Sequence, residues 1–352
     1  MNPKVSIVIP VKEINDYVRE SVPKLLELDY DNFEIVIHVD KLAKENWPRT
    51  QIIVGEKKNE TPPVKRELAV KESNGEIIAF MDDDAYPRRD WLKNAIRHFE
   101  HPQVGAVYGP GVTPDSDGLW AKISGEVLSS PLTSWKYIYR YQSAGRFFRE
   151  PKNINCRKCS GCRKCPVIDE IFTVDDAPTV NFLIRREVFD KAGGFNTKYY
   201  PGEDTKLSLN IVKDQKLKII YDPEVYVWHH RRNSLYKHFQ QNGRYAIHRG
   251  FFAKRYPETS LRLQYFIPTF FVVFLALSLV ALWLLPQGSW LWWGIDALWA
   301  IYIVLLFISG AVSAYRQKNP FIGLMVVPII FLTHVVYGIG LVVGLLMTEL
   351  KR

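Results

Sequence analysis

At 352 residues the chain is long enough for one catalytic-sized domain and something more. Apolar residues make up 47% of it, and their long runs are concentrated beyond about residue 263, which excludes a single evenly patterned domain. Lys plus Arg total 46 against 37 Asp plus Glu, and the resulting net charge of +9 points to an anionic partner: a phosphorylated substrate, a lipid headgroup surface or nucleic acid.

The opening MNPKVSIVIPVK has too short an apolar run, and no small-residue cleavage site, to read as a secretory signal. The N-terminal part is therefore expected in the cytoplasm. KVSIVIPV reads as a strand stopped by Pro10. YVRESVPKLLELDY carries helical spacing, and FEIVIHVD returns to a strand ending on Asp40. QIIVGEK reads as a strand, PPVKRELAVKESNG as a helix and EIIAFMDDD as the next strand. Strands alternating with helices, and nearly continuous apolar strands, predict an α/β domain with a mostly parallel sheet. Ligands of such sheets collect at the carboxyl ends of the strands, where Asp40 and the run Asp82, Asp83 and Asp84 both fall. From about Trp120 to Asp176 the pattern is irregular. It resumes at NFLIRREVFDKAGGF, a strand running into a helix that Gly193 and Gly194 end, and at LKIIYDPEVYVWHH, strands ending on His229 and His230.

Three membrane-length segments follow. Tyr265 to Leu285 contains no charged residue, Trp290 to Ser313 contains only Asp296, and Phe321 to Met347 only His334. Each supplies the roughly 20 apolar residues a crossing helix needs. Arg231, Arg232, Lys237, Arg244, Arg249, Lys254, Arg255 and Arg262 precede them, opposed by Glu258 alone. Arg316 and Lys318 stand in the second connecting loop, while the PQGS loop is uncharged. The positive-inside rule then places the large domain in the cytoplasm and, for three crossings, the C-terminal tail outside.

Three adjacent carboxylates at a strand end repel one another. Either the loop is simply solvated, or a divalent cation shared with substrate phosphates resolves the repulsion, and Mg²⁺ and Mn²⁺ favour such oxygen sites. Cys156, Cys159, Cys162 and Cys165 are every cysteine in the chain. Their spacing in a reducing compartment points to a structural zinc site or an iron–sulfur cluster ahead of two disulfides. Arg157, Lys158, Arg163 and Lys164 make the same run cationic.

KVSIVIPVKE, KRELAVKESNGEIIAFMDDDAYPRRDWL, NFLIRREVFDKAGGF, PGEDTKLSLNI and QNGRY occur in the order found in family-2 glycosyltransferases, and residues 4 to 250 resemble that family. The resemblance implies a GT-A fold, a nucleotide-diphosphate sugar as donor, and Mn²⁺ or Mg²⁺ as cofactor. It places Asp84 as metal ligand, with His229 as a further ligand, and Asp82 near the ribose or base, Asp83 being the variable middle position. Pro10, Glu13, Asp40 and Arg66 fall where the family holds the nucleotide, although VDKLAK stands where a D-D-G-S type sequence is usual. A solvated helix face competes as a reading of Arg66. Asp204 matches the general base of an inverting transfer, with helix capping as its alternative role, and Glu203 is expected on the acceptor side. Gln241, Arg244 and Tyr245 resemble a Q-x-x-R-W motif with Tyr for Trp. Gln241 and Tyr245 are then expected at the acceptor and Arg244 at the donor diphosphate.

The expected organisation is a catalytic domain over 1–230 with a cysteine-rich insertion near 150–170, a basic amphipathic segment over 231–262 lying among lipid headgroups, and membrane helices over 263–352. The expected activity is a hexosyl-type transfer of single sugars to a lipid-linked acceptor, a polyprenyl phosphate or a lipid-linked glycan, at the cytoplasmic face. Membrane lipids are expected partners and nucleic acid is not; oligomeric state is left open. Two rivals from other classes are an iron–sulfur electron-transfer protein of the membrane and a catalytically silent binding protein that keeps the fold.

Overall fold

The computed structural model describes residues 2–57, 59–142, 171–195, 199–286 and 288–350. The chain divides into two compact units, one of residues 1–114 and 139–230, the other of residues 115–138 and 231–352. The segment 115–138, expected within the catalytic domain, thus belongs to the same unit as the apolar helices.

In the first unit the strands are β1 (Val5–Pro10), β2 (Phe33–Val39), β3 (Thr50–Val54), β4 (Ile77–Met81), β5 (Ala85–Pro87), β6 (Val104–Tyr108), β7 (Gly111–Val112), β8 (Phe172–Val174), β9 (Asn181–Arg185), β10 (Lys218–Tyr221) and β11 (Val227–His229). The main sheet runs β3-β2-β1-β4-β9-β6-β10-β8. β3, β2, β1 and β4 are parallel, β9 runs antiparallel between β4 and β6, β10 is parallel to β6, and β8 closes the edge antiparallel. Side chains alternate between faces along a strand, and both faces here are covered. Val5, Ile7 and Ile9 of β1 enter one apolar cluster while Val8 enters the other. That double burial explains why β1, β2 and β4 read as unbroken apolar runs. Helices Asp16–Leu26 and Pro62–Lys71 follow β1 and β3. Gly193 and Gly194, at φ +77° and +59°, end the helix Arg186–Lys191 as their left-handed geometry permits.

A second, three-stranded sheet has the order β5-β11-β7. Its strands are two or three residues long, too short for periodicity to announce them. β11 pairs antiparallel with β5, setting His229 opposite Ala85, and parallel with β7.

In the second unit, helix Leu235–Arg255 starts at a Ser234 cap and is followed by three apolar helices, Leu263–Leu284, Trp290–Gln317 and Pro320–Leu346. All three are long and apolar enough to cross a membrane. Ser289 and Asn319 cap the second and third. Helix Leu119–Leu128 packs in through Ile123 and Val127 onto Leu306, Val326 and Ile330. His238 is wholly buried; its ring meets Ser124 Oγ at 2.8 Å and Thr333 Oγ1 at 3.2 Å, tying three helices together. Helix Leu235–Arg255 lies lengthwise on Pro320–Leu346. Gly340 abuts Gly243 and Ala246, Gly344 abuts Ile247, and Lys254 Nζ donates to Met347 O at 2.8 Å.

Candidate active site

The site is built at the carboxyl ends of β1, β2 and β4, where the parallel strands release their chains. β4 ends at Met81, and Asp82, Asp83 and Asp84 form the step down to β5 in the small sheet. Because β11 pairs with β5, the backbone N–H of His230 donates to Asp84 O at 2.9 Å, and the His229 ring lies 3.2 Å from the Asp84 carboxylate (Nε2 to Oδ1). Successive β11 side chains take opposite faces. The neighbouring His230 accordingly leaves the site, meeting Glu20 at 3.0 Å and packing on the Tyr17 ring. Gly111 of β7 backs His229: a Cβ there would lie 3.3 Å from the histidine Cβ and 3.4 Å from Nδ1.

One ligand atom from each of Asp82, Asp84 and His229 falls within 4.8 Å of the others, the one such trio of His, Cys, Asp or Glu among the described residues. Two carboxylate oxygens and one imidazole nitrogen suit a hard or borderline dication such as Mn²⁺ or Mg²⁺. Asp83 turns away from this cluster. It accepts a hydrogen bond from Asn15 Nδ2 at 2.6 Å, while Asn15 Oδ1 caps helix Asp16–Leu26 by accepting from Val18 N at 2.9 Å. Burial, and then Asp84 beside it, push the Asp83 carboxyl up to about 6.

Arg66 is not on a solvated helix face. Only 4% of its side chain is exposed; Nη2 meets Asp82 at 2.6 Å and Nη1 meets Glu203 at 3.2 Å. Glu203, expected to face the acceptor, is instead buried against Arg66, because its position at the start of helix Glu203–Leu209 turns it inward. Its Oε2 also accepts from Gly202 N at 3.0 Å, and Gly202 holds φ +124°, a conformation that favours glycine. Burial raises the Glu203 carboxyl above the usual range, Asp204 adds to that, and Arg66 draws it back. Asp204, next in the first turn, is half-buried, and its Oδ1 accepts from Thr205 N at 2.7 Å; the helix cap position itself is Gly202. Thr205 Oγ1 donates to Asp176 at 3.0 Å, which Arg140 also holds at 3.2 Å. The ion pairs through Arg66 thus join the helix bearing Asp204 to the end of β4.

Asp40, at the end of β2, pairs with Lys65 at 2.7 Å, both side chains being buried, and the same ammonium donates to Val11 O at 2.7 Å. Sequence reasoning missed Lys65, Asn15 and Asp176. Lys65 had a signal, since KRE places two cations beside an otherwise apolar helix face one strand from Asp40. Asn15 and Asp176 had none beyond their loop positions. Pro10 ends β1. Glu13 is exposed and pairs with Lys41. Gln241, Arg244 and Tyr245 lie on helix Leu235–Arg255 in the second unit, where Gln241 Nε2 donates to the Tyr245 hydroxyl at 3.0 Å and Arg244 and Tyr245 are exposed. The zinc or iron–sulfur site expected at Cys156, Cys159, Cys162 and Cys165 falls outside the described residues.

A mostly parallel sheet, a carboxylate step at the end of β4 and a small sheet carrying a histidine back to it define a GT-A-like domain. Residues 6–172 match the family described as Glycosyl transferase family 2, so the chain carries a glycosyltransferase family 2 domain. It is 21% identical over 362 residues, covering 97% of each chain, to a dolichyl N-acetyl-alpha-D-glucosaminyl phosphate 3-beta-D-2,3-diacetamido-2,3-dideoxy-beta-D-glucuronosyltransferase of Methanococcus voltae. It is 22% identical over 244 residues, 64% of this chain and 69% of the relative, to a glucosyl-dolichyl phosphate glucuronosyltransferase of Haloferax volcanii. Among solved structures, a mannosyltransferase from Pyrobaculum calidifontis in complex with GDP-Man and Mn²⁺ shares the fold, with a TM-score of 0.58 at 18% identity over 98% of this chain and 88% of that one. These relatives do not favour an electron-transfer protein.

Proposed function

We propose that the protein is an inverting, membrane-anchored glycosyltransferase that moves one sugar from a nucleotide-diphosphate donor to a lipid-linked acceptor at the cytoplasmic membrane face. The convergence of Asp82, Asp84 and His229 within 4.8 Å at the end of β4 is the observation that carries this reading. The named acceptor chemistry of the two archaeal relatives, which act on dolichyl phosphate-linked sugars, supports the lipid-linked acceptor.

In this reading Asp84 and His229, with Asp82 beside them, hold Mn²⁺ or Mg²⁺. Such an ion, when bound, neutralises the diphosphate that departs with the nucleotide. Pro10, Glu13 and Asp40 border the nucleotide, with Lys65 fixing the Asp40 carboxylate and Asn15 fixing Asp83. Arg66 holds Asp82 in place and is itself held by Glu203, so Glu203 acts as an anchor. Asp204 takes the proton from the acceptor hydroxyl as that oxygen attacks the anomeric carbon opposite the leaving diphosphate. A carboxylate is basic enough because the hydroxyl becomes acidic only as the new C–O bond forms. By the motif they resemble, Arg244 is assigned to the donor diphosphate, and Gln241 and Tyr245 to the acceptor.

The test is thermal unfolding of the purified protein with a panel of nucleoside diphosphates, each with Mn²⁺ and with chelator. A nucleotide at 100 times its Kd adds about 2.7 kcal/mol. Stabilisation by one base, dependent on the metal and absent in Asp84→Asn, is expected. Metal-independent stabilisation, or none from any nucleotide, overturns the reading.

A further inference from the structure

We propose that the apolar helix Pro320–Leu346 does not cross the bilayer. It lies along one leaflet, under helix Leu235–Arg255, so that the chain crosses twice and Met347 ends on the face from which Leu263 enters. This inference rests on packing within the second unit and is independent of which sugar, if any, is transferred.

The first two apolar helices are an antiparallel hairpin. Phe271 packs on Tyr302 at 4.8 Å and Phe274 on Trp299 at 5.4 Å between ring centroids, and Trp299 Nε1 donates to Ser278 Oγ at 3.1 Å. That pairing sets Gly310 level with Leu263, where the first helix begins. Gly310 in turn packs against Gly323, a Cβ on it reaching 2.7 Å from the Gly323 carbonyl oxygen. The start of the third helix therefore lies at the entry level of the first.

Its far end lies there too. Thr269 Oγ1, within the first two turns of the first helix, donates to Gly338 O at 3.1 Å. Arg249 stands over the Tyr265 ring at 4.7 Å and donates to Ser260 Oγ at 3.4 Å, while the next residue, Gly250, abuts Leu341. Lys254 donates to Met347 O, and the chain reaches the first apolar helix at Leu263 after the short helix Pro257–Ser260. From Gly323 to Leu346 an α-helix rises about 35 Å. In a crossing helix that length would carry Leu346 to the opposite interface, a bilayer core being about 30 Å thick. Both ends here stay close to the level of Leu263. The opposite interface belongs to the hairpin tip, where Trp283, Trp290 and Trp293 are 89%, 79% and 67% exposed, as aromatic belts require.

Exposure along the third helix agrees. Phe321, Leu324, Leu332, Ile339, Val342 and Leu346 are exposed at helical spacing, forming one apolar stripe. In its most apolar stretch 44% of the helix is buried, against 11% in each hairpin helix. The stripe fits the acyl layer of a single leaflet. The cations of helix Leu235–Arg255, whose glycine and alanine face covers the other side, sit at headgroup height, leaving Arg244 and Tyr245 exposed there.

The test uses the full-length protein in sealed membrane vesicles of one orientation and a membrane-impermeant amine acylating reagent, read residue by residue by mass spectrometry. Lys351 is expected to follow Lys237 and Lys318, labelled or protected together with them before lysis. A Gln287→Lys variant is expected to label from the opposite face, marking the hairpin tip. Modification of Lys351 only from the face opposite Lys237 restores a third crossing and overturns the proposal. Labelling of the Gln287→Lys position together with Lys237 overturns it as well.

Discussion

The ion-pair triad through Arg66 makes the sharpest demand on the first unit. Replacing Arg66 with Met keeps most of its volume but leaves Glu203, 7% exposed, and Asp82, 33% exposed, facing each other's field without a cation. Removing one partner of a buried pair costs about 3–5 kcal/mol, because the remaining charge is left uncompensated. Asp82 recovers part of its solvation from water, so its share is discounted and the expected loss is about 3 kcal/mol. For a domain of this size that lowers Tm by about 6–12 °C. The assay is thermal unfolding in detergent, without metal, at about pH 8 and again at about pH 5.

The pH dependence has a definite sign. Burial and Asp204 already raise the Glu203 carboxyl, and Arg66 is what restrains it. Without Arg66 it rises further. A carboxyl raised in the folded state favours folding below its unfolded value and loses that advantage as pH rises through the folded one. The deficit of Arg66→Met should therefore shrink on going from the higher pH to the lower, and adding Glu203→Gln should recover much of it at the higher pH. A loss under about 1 kcal/mol, or one indifferent both to pH and to Glu203→Gln, would refute the idea that Glu203 exists to hold Arg66.

Asp204→Asn should lower kcat by about 10²–10⁴ while leaving metal-dependent nucleotide binding intact, since general-base catalysis is worth that much; equal loss of both would make Asp204 a structural residue. Gly111→Ala places a Cβ 3.3 Å from His229 and should displace the ring by a few tenths of an ångström. Mn²⁺-dependent nucleotide affinity should then drop while metal-free stability moves by less than about 1 kcal/mol, both read by calorimetry. His238 is pushed down to about 4 by burial. The unfolded chain takes up that proton first as pH falls from about 6.5, so stability should decline by up to about 3 kcal/mol on reaching about pH 4. His238→Gln should flatten that part of the pH profile of Tm.

What could be read beforehand was whatever short-range pattern records. β1, β2 and β4 are buried on both faces, so their Val and Ile runs needed no knowledge of the rest of the chain, and helix Pro62–Lys71 announced itself by its Pro start. The aspartate step was legible because like charges against an apolar strand demand a reason. The small sheet β5-β11-β7 was not. Each of its strands is too short to show a period, and its pairing joins residues more than a hundred positions apart. Yet that sheet is what sets His229 beside Asp84. Arg66 and Glu203 show the same limit: an Arg on a polar-looking helix and a Glu at a helix start reveal nothing of facing each other until the strands bring them together.

Hydropathy carries a further ambiguity that only packing removes. A helix sheathed on one side by protein and wetted on the other by acyl chains needs the same apolar composition all round as one that crosses. Pro320–Leu346 is therefore as apolar as the two hairpin helices. What separates them is which neighbours each end meets. Gly323 meets Gly310 and Ala314 near the end of the second helix, Gly338 meets Pro268 and Val272 near the start of the first, and glycine at both positions lets the backbones approach closely. Substituting Gly338 with Leu would drive a side chain into the Pro268 carbonyl, only 2.3 Å from where a Cβ would sit, and should detach this helix from the hairpin. If the helix instead crossed beside the hairpin, the same carbonyl contact would not exist for the new side chain to break.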